Sequence, residues 1–183
     1  MKIFKLLFAA FVLTLSSCEK KDPEIPNEEE VITTLIYTLT PSGGGTAVEM
    51  KFQDLDGDGG DAPTITTGKL MKNTTYNGTL VLVNELVTPT EDITEELKEE
   101  DKDHQFFFSS TISDLLVSYT DQDAEGNPIG LETTLTSTNA GSGNLSITLK
   151  HKPNKTASGV STGDISNAGG ETDIEITFSI DVE

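Results

Sequence analysis

Of the 183 residues none is tryptophan or arginine, one is cysteine, and aromatic side chains make up only 6%. All 12 positive residues are lysines, set against 31 acids, for a formal charge of −19. A nucleic-acid-binding face needs dense basic charge to neutralise phosphates, so this balance argues against DNA or RNA partners. It argues equally against flat docking on anionic lipid, and favours solubility, cations or a basic partner. A solvated acidic surface with no partner is the plainer reading of the same charge. Without tryptophan the usual platform for a sugar ring is missing. No G-x-S-x-G, P-loop or H-E-x-x-H pattern occurs, and acidic pairs are too numerous to single out a glycosidase pair. The expectation is a protein that is not an enzyme and has no catalytic residues.

Long hydrophobic runs are also scarce. The one at the start, Leu6 to Leu15, is too short for an ordinary transmembrane helix of about 20 apolar residues. It follows Lys2 and Lys5 and precedes small residues, the layout of a secretory signal peptide. The sequence Leu15-Ser16-Ser17-Cys18 then resembles a bacterial lipobox at each of its four positions. That resemblance implies cleavage before Cys18, with lipid on its thiol and its new amino group. A lone cysteine in an exported chain has no intramolecular disulfide partner, so lipidation is the expected role of Cys18. The alternative, an ordinary signal leaving a free thiol, is a liability in an oxidising compartment. Loss of residues 1–17 takes away Lys2, Lys5 and no acid, moving the charge from −19 to −21.

The domain plan follows from composition. Residues 1–17 are the expected lipoprotein signal peptide. Residues 18–30, polar and holding Pro23 and Pro26, read as a lipidated tether. Lys20-Lys21-Asp22 is similar to short charged signals that send some Bacteroidota-type lipoproteins to the cell surface. The expected location is therefore the outer membrane, lipid-anchored, facing either the periplasm or the exterior. Residues 31–183 show short β-branched runs broken by Gly, Pro, Asn and Asp. Strands are expected at 31–40, 46–53, 64–71, 75–84, 104–110, 115–120, 131–137, 144–150 and 172–182. In the last, Ile174, Ile176, Phe178, Ile180 and Val182 alternate with Asp173, Glu175, Thr177, Ser179 and Asp181, which predicts one buried and one wet face. About nine short strands at near-regular spacing predict a mainly β fold. Its form is an antiparallel two-sheet sandwich of immunoglobulin-like size, with a closed up-and-down barrel as the alternative.

One segment breaks the β pattern. Glu91 to Asp103 carries eight acids and reads as a short acidic helix, with Thr88 as N-cap, Pro89 at N1, and Ile93 and Leu97 as its buried stripe.

Two constellations have metal-binding potential. Asp54, Asp56, Asp58 and Asp61 alternate in a glycine-rich loop that matches D-x-D-x-D-G as far as Gly59. Hard Ca²⁺ takes six to eight oxygens, but Ile65 stands where an EF-hand needs its bidentate Glu. The loop from Asp121 to Asn127 repeats the alternation more weakly. For both, solvated turn chemistry is the plainer reading. The second constellation is His104 and His151, expected near strand ends and suited to a transition-metal ion. A helix continued by one turn would align Glu96, Glu100 and His104 at i, i+4 and i+8. The aromatic run Phe106-Phe107-Phe108 instead draws His104 into a strand, where convergence with the other histidine and helix carboxylates stays open.

The segments Glu28–Thr34, Asp54–Gly59, Asp92–Glu96, His104–Phe107, His151–Lys155 and Gly169–Ile174 together resemble a family of small Bacteroidota envelope lipoproteins. These are labelled "type 1 periplasmic binding fold superfamily protein". The resemblance spans nearly the whole chain after Cys18. It implies an outer-envelope lipoprotein accessory to a TonB-dependent receptor, and carries over no catalytic residue. The expectation is a lipid-anchored binding or accessory module, possessing a cation or metal site. The alternative is a spacer or receptor lid with no small ligand.

Overall fold

The computed structural model describes residues 30–57 and 60–183. The expected signal peptide, Cys18, all of the tether but Glu30, and Asp58 lie outside the described residues. Two antiparallel sheets face each other across one apolar core, the expected mainly β sandwich. The strands are β1 (Thr34–Pro41), β2 (Val48–Gln53), β3 (Thr64–Thr66), β4 (Thr74–Asn84), β5 (Glu91–Asp92), β6 (His104–Ser110), β7 (Leu115–Tyr119), β8 (Glu132–Ser137), β9 (Gly141–His151) and β10 (Glu171–Val182). One sheet runs β3-β2-β1-β4-β8-β7, with β5 paired to β4; the other runs β10-β9-β6. One α-helix, α1 (Ile93–Glu99), lies between β5 and β6. Among the described residues no helix is long and apolar enough to cross a membrane.

Period-two alternation builds both sheets. In β1, Leu35, Tyr37 and Leu39 are buried; in β4, Tyr76, Leu80 and Leu82 are buried while Val81 looks outward. Across the core stand Phe106, Leu145, Ile147, Leu149, Ile176, Phe178 and Ile180 from the small sheet. Fully burying each such side chain stabilises the fold by about 1.5–3 kcal/mol before entropy is counted. Cross-strand register continues the core stripe to the end of the small sheet. Phe106 pairs with Leu149, and two residues further out His104 pairs with His151. On the outer face of this sheet Val160 and Ala168, from the segment after β9, pack on Phe107, while Glu175, Thr177 and Ser179 stay exposed.

Three expectations need correction. The strand expected over 64–71 stops at Thr66. At Gly68 the backbone passes so close to β2 that a Cβ there would stand 2.7 Å from Val48. Leu70 then exchanges backbone hydrogen bonds with Asp181 and Glu183, joining a corner of the opposite sheet instead. The helix expected over 91–103 is shorter at both ends, and Thr88 is not its cap. Asp92 caps it, accepting from Thr94 N at 3.0 Å, because Glu91 and Asp92 are held as a strand against Val83 and Asn84. The Thr94 hydroxyl accepts from Leu82 N and donates to Leu82 O, fastening the helix to β4. Ile93 and Leu97 are its buried stripe, as expected. The third correction is Asp173, taken from the alternation as solvent-facing. Its side chain is 1% exposed, for a reason that lies in the strand itself.

Candidate metal centre

Between Thr172 and Ile174 the β10–β9 register slips: Thr172 faces Lys150 and Ile174 faces Leu149, so Asp173 is the extra residue of a β-bulge. A bulge re-aims one side chain without ending the strand, and here it turns a carboxylate inward beside two imidazoles. Just before it, Gly170 has φ +68°, and a Cβ there would lie 2.2 Å from the His151 carbonyl oxygen. Only glycine lets β10 start this close to the end of β9.

His104, His151 and Asp173 thus meet where three strands end, their ligand atoms within 4.8 Å of one another. The two rings stand 4.7 Å apart between centroids. His104 Nε2 lies 3.9 Å from Asp173 Oδ2, and His151 Nδ1 lies 3.9 Å from Asp173 Oδ1. Neither separation is a hydrogen bond. His104 is fully buried, and its Nε2 has no hydrogen-bond partner.

The other nitrogen settles the tautomer. His104 Nδ1 lies 3.3 Å from the carbonyl oxygen of Glu100, at the C-terminal end of α1. A carbonyl only accepts, so Nδ1 carries the hydrogen and donates it. Burial holds the His104 pKa below the usual histidine value; the Glu100 carbonyl opposes this and the neighbouring His151 ring reinforces it. The net shift favours the neutral ring against the charges of Glu100 and Asp103, and with the hydrogen on Nδ1 its Nε2 faces the Asp173 carboxylate. Histidine metal ligands are commonly oriented this way, with the non-coordinating N–H on a backbone carbonyl.

A second group shares the same ring: ligand atoms of Glu30, Glu100 and His104 also lie within 4.8 Å of one another. Glu100 Oε2 is 3.8 Å from His104 Nδ1. The Glu30 carboxyl is pushed up to about 7 by burial, by a hydrogen bond with the Glu96 carboxyl, and by the charges of Glu96, Glu100 and Asp173. The negative end of the helix dipole points the same way. Three nearby lysines are engaged elsewhere: Lys98 with Glu95, Lys102 with Glu125, and Lys155 with Asp123. Of the expected Glu96, Glu100 and His104, the last two come together and Glu96 instead bonds Glu30, because the helix ends at Glu99 and His104 opens a strand.

The aspartate loop is built differently. Asp54 Oδ1 accepts from Asp56 N and Gly57 N, and Asp56 Oδ2 accepts from Asp61 N. These carboxylates stand in place as caps on their own turn, Asp54 half-buried and Asp56 exposed. In the second loop Asp121 accepts from Gly130 N and Glu132 N, while Asp123 takes Glu125 N, Asn127 N and the buried ammonium of Lys155. Among the described residues, the groups that gather are the two sharing His104.

Sequence reasoning singled out His104, His151 and Glu100 but missed Asp173 and Glu30. For Asp173 the pair Gly169-Gly170 and the polar run Glu171-Thr172-Asp173 hinted at an irregular strand start; nothing marked Glu30 among its neighbours Glu28 and Glu29. No protein-family model, curated protein or solved structure matches this chain.

Proposed function

We propose that this chain is a lipid-anchored envelope module that binds a transition-metal ion between His104, His151 and Asp173, as an accessory to a TonB-dependent receptor. The observation that carries the metal is the buried, neutral His104 Nε2, whose lone pair faces a carboxylate oxygen at 3.9 Å. Two acceptors face to face repel unless a cation lies between them. Two imidazoles with one carboxylate suit Zn²⁺ and its neighbours, whereas Ca²⁺ prefers an all-oxygen shell. Tetrahedral ligands at about 2.1 Å from such an ion stand about 3.4 Å apart, so binding requires the two 3.9 Å spacings to Asp173 to close by roughly half an ångström. The envelope location rests on the Leu15–Cys18 pattern, and the receptor on the family resemblance.

The test is metal content and thermal melting of the purified chain, before and after chelation, with Zn²⁺ or Co²⁺ added back. The expected result is one equivalent of ion and a midpoint that rises with it; saturation at 100 times Kd adds about 2.7 kcal/mol. Co²⁺ gives the intense visible bands of a four-coordinate site. Asp173→Asn and His151→Gln each weaken binding at least tenfold. A chain that neither retains nor responds to any of these ions overturns the reading and leaves the spacer alternative. Co-purification with a receptor barrel from solubilised outer membrane tests the partner.

A further inference from the structure

β10 is an edge strand. β9 pairs with it along one side, from Glu171 to Val182. On the other side Leu70 meets its last residues, donating its N–H to the Asp181 carbonyl and accepting from Glu183 N. Those two bonds fix the parity of the edge. In an antiparallel strand the N–H and C=O of one residue point to the same side, and the side alternates along the chain. Glu175, Thr177 and Ser179, like Asp181, therefore turn their backbone groups away from β9. Among the described residues no backbone group pairs with those three on that side. Such a row is a template for one more strand. The side chains say which kind. Glu175, Thr177, Ser179 and Asp181 are exposed on the outer face, while Ile176, Phe178 and Ile180 are buried on the inner one. β10 contains no lysine; Lys69 is paired with Glu183 at 2.7 Å, and Lys150 bonds the Gly170 carbonyl and the Thr172 hydroxyl. Glu175 and Asp181 accept from the hydroxyls of Thr148 and Ser142, with no ion pair among the described residues. A second copy laid antiparallel about Phe178 would set Glu175 against Asp181, and like charges directly opposite are destabilising.

We infer that the β10 edge takes up an extended segment of a basic partner protein as a further antiparallel strand. Lysine or arginine stands opposite Glu175 and Asp181, and apolar residues stand opposite Ile176, Phe178 and Ile180. Main-chain bonds to Glu175, Thr177 and Ser179 supply the affinity, and the two carboxylates, about 20 Å apart along the strand, choose the partner. This goes beyond the metal reading and does not rest on it.

The experiment is amide exchange, read residue by residue by NMR, on the detergent-solubilised full chain. The probe is the blocked peptide Lys-Val-Thr-Val-Thr-Val-Lys, and its control carries proline in place of both threonines. The control keeps the charge but lacks two of the N–H groups that would face β10. The expected result is that the probe slows exchange at Glu175, Thr177 and Ser179 at least about tenfold. Ile176 and Phe178, whose amides already face β9, do not change, and the proline peptide protects none of the five. Glu175→Lys combined with Asp181→Lys, both at exposed positions, keeps the fold and weakens probe binding more than about tenfold. Unchanged exchange at the three amides overturns the proposal, as does equal binding of the proline peptide, which would mean charge attraction alone. Protection of the same amides without peptide also overturns it: a second copy fills the edge if the protection grows with protein concentration, and the chain itself fills it if it does not.

Discussion

Replacing Asp123 by Asn tests the frame that holds the site's loops. Lys155 is buried, and its ammonium donates to the Asp101 carbonyl at 2.5 Å, to Asp123 Oδ2 at 3.1 Å and to the Pro128 carbonyl at 3.1 Å. Those three bonds use all its donors and tie together the turn after α1, the β7–β8 loop and the segment after β9. Lys152 N adds a bond to the Asp103 carbonyl at 2.6 Å, beside His104. An Asn at 123 still accepts from Glu125 N and Asn127 N but leaves the ammonium buried without its counter-charge. Breaking one half of a buried pair costs about 3–5 kcal/mol, which in a domain of this size lowers the melting point by roughly 10 °C. Lys155→Met strands the carboxylate instead and costs a similar amount. The double change removes both charges, so its cost falls well short of the sum, with a coupling of at least about 2 kcal/mol. Urea unfolding of the four proteins at pH 7 measures this cycle. Strict additivity, or an Asp123→Asn loss under about 1 kcal/mol, refutes the argument. The pH dependence provides a second arm. Burial raises the Asp123 pKa, but hydrogen bonds from Asn127 N, Lys155 and Glu125 N outweigh it, and the net shift is downward. A depressed carboxylate contributes stability that is complete above its unfolded value of about 3.9 and is lost as pH falls through the folded one. Wild type should lose this contribution on acidification, while the Asn variant shows a flatter profile there.

Three further outcomes follow from the same geometry. Gly170→Ala places a Cβ 2.2 Å from the His151 carbonyl, so it should destabilise the fold by several kcal/mol, or displace the start of β10 and weaken metal binding more than tenfold; melting and zinc titration report the two effects. Burial pushes both Tyr37 and Tyr119 up to about 12; since the unfolded value is near 10, each contributes stability that is intact below pH 10 and lost as pH rises toward 12. Absorbance at 295 nm, free of tryptophan, should show these two ionising only near pH 12 or on unfolding, and titration of all three tyrosines near 10 with the fold intact would contradict it. Asp92→Ala removes the cap that accepts from Thr94 N and should cost about 1 kcal/mol in urea unfolding, against no measurable loss for Thr88→Ala.

The sandwich was legible because burial on one face prints a period of two on the sequence. Leu35-Tyr37-Leu39 and Ile176-Phe178-Ile180 show it without help from any neighbour. The helix was legible in Ile93 and Leu97, but its start was not: Thr88-Pro89 is the stronger local cap signal, and pairing of Glu91 with Asn84 across 7 residues overrode it. The site was half legible for the same reason. His104 and His151 fall on the core face of their strands, two residues beyond Phe106 and Leu149, so the alternation itself carries both imidazoles inward. Asp173 has the opposite parity to Ile174 and should face water; one inserted residue reverses it. A bulge leaves no periodic trace, since it is a fault in the period, and its only marks are the glycines that allow the close approach. The carboxylate that completes the proposed site is thus the one that regular alternation assigns to solvent. Burying it beside a neutral imidazole is costly unless something positive joins them. The bulge that puts it there runs against the sheet's own pattern, and under the proposed function that departure serves to bring a carboxylate to the two imidazoles as a third ligand.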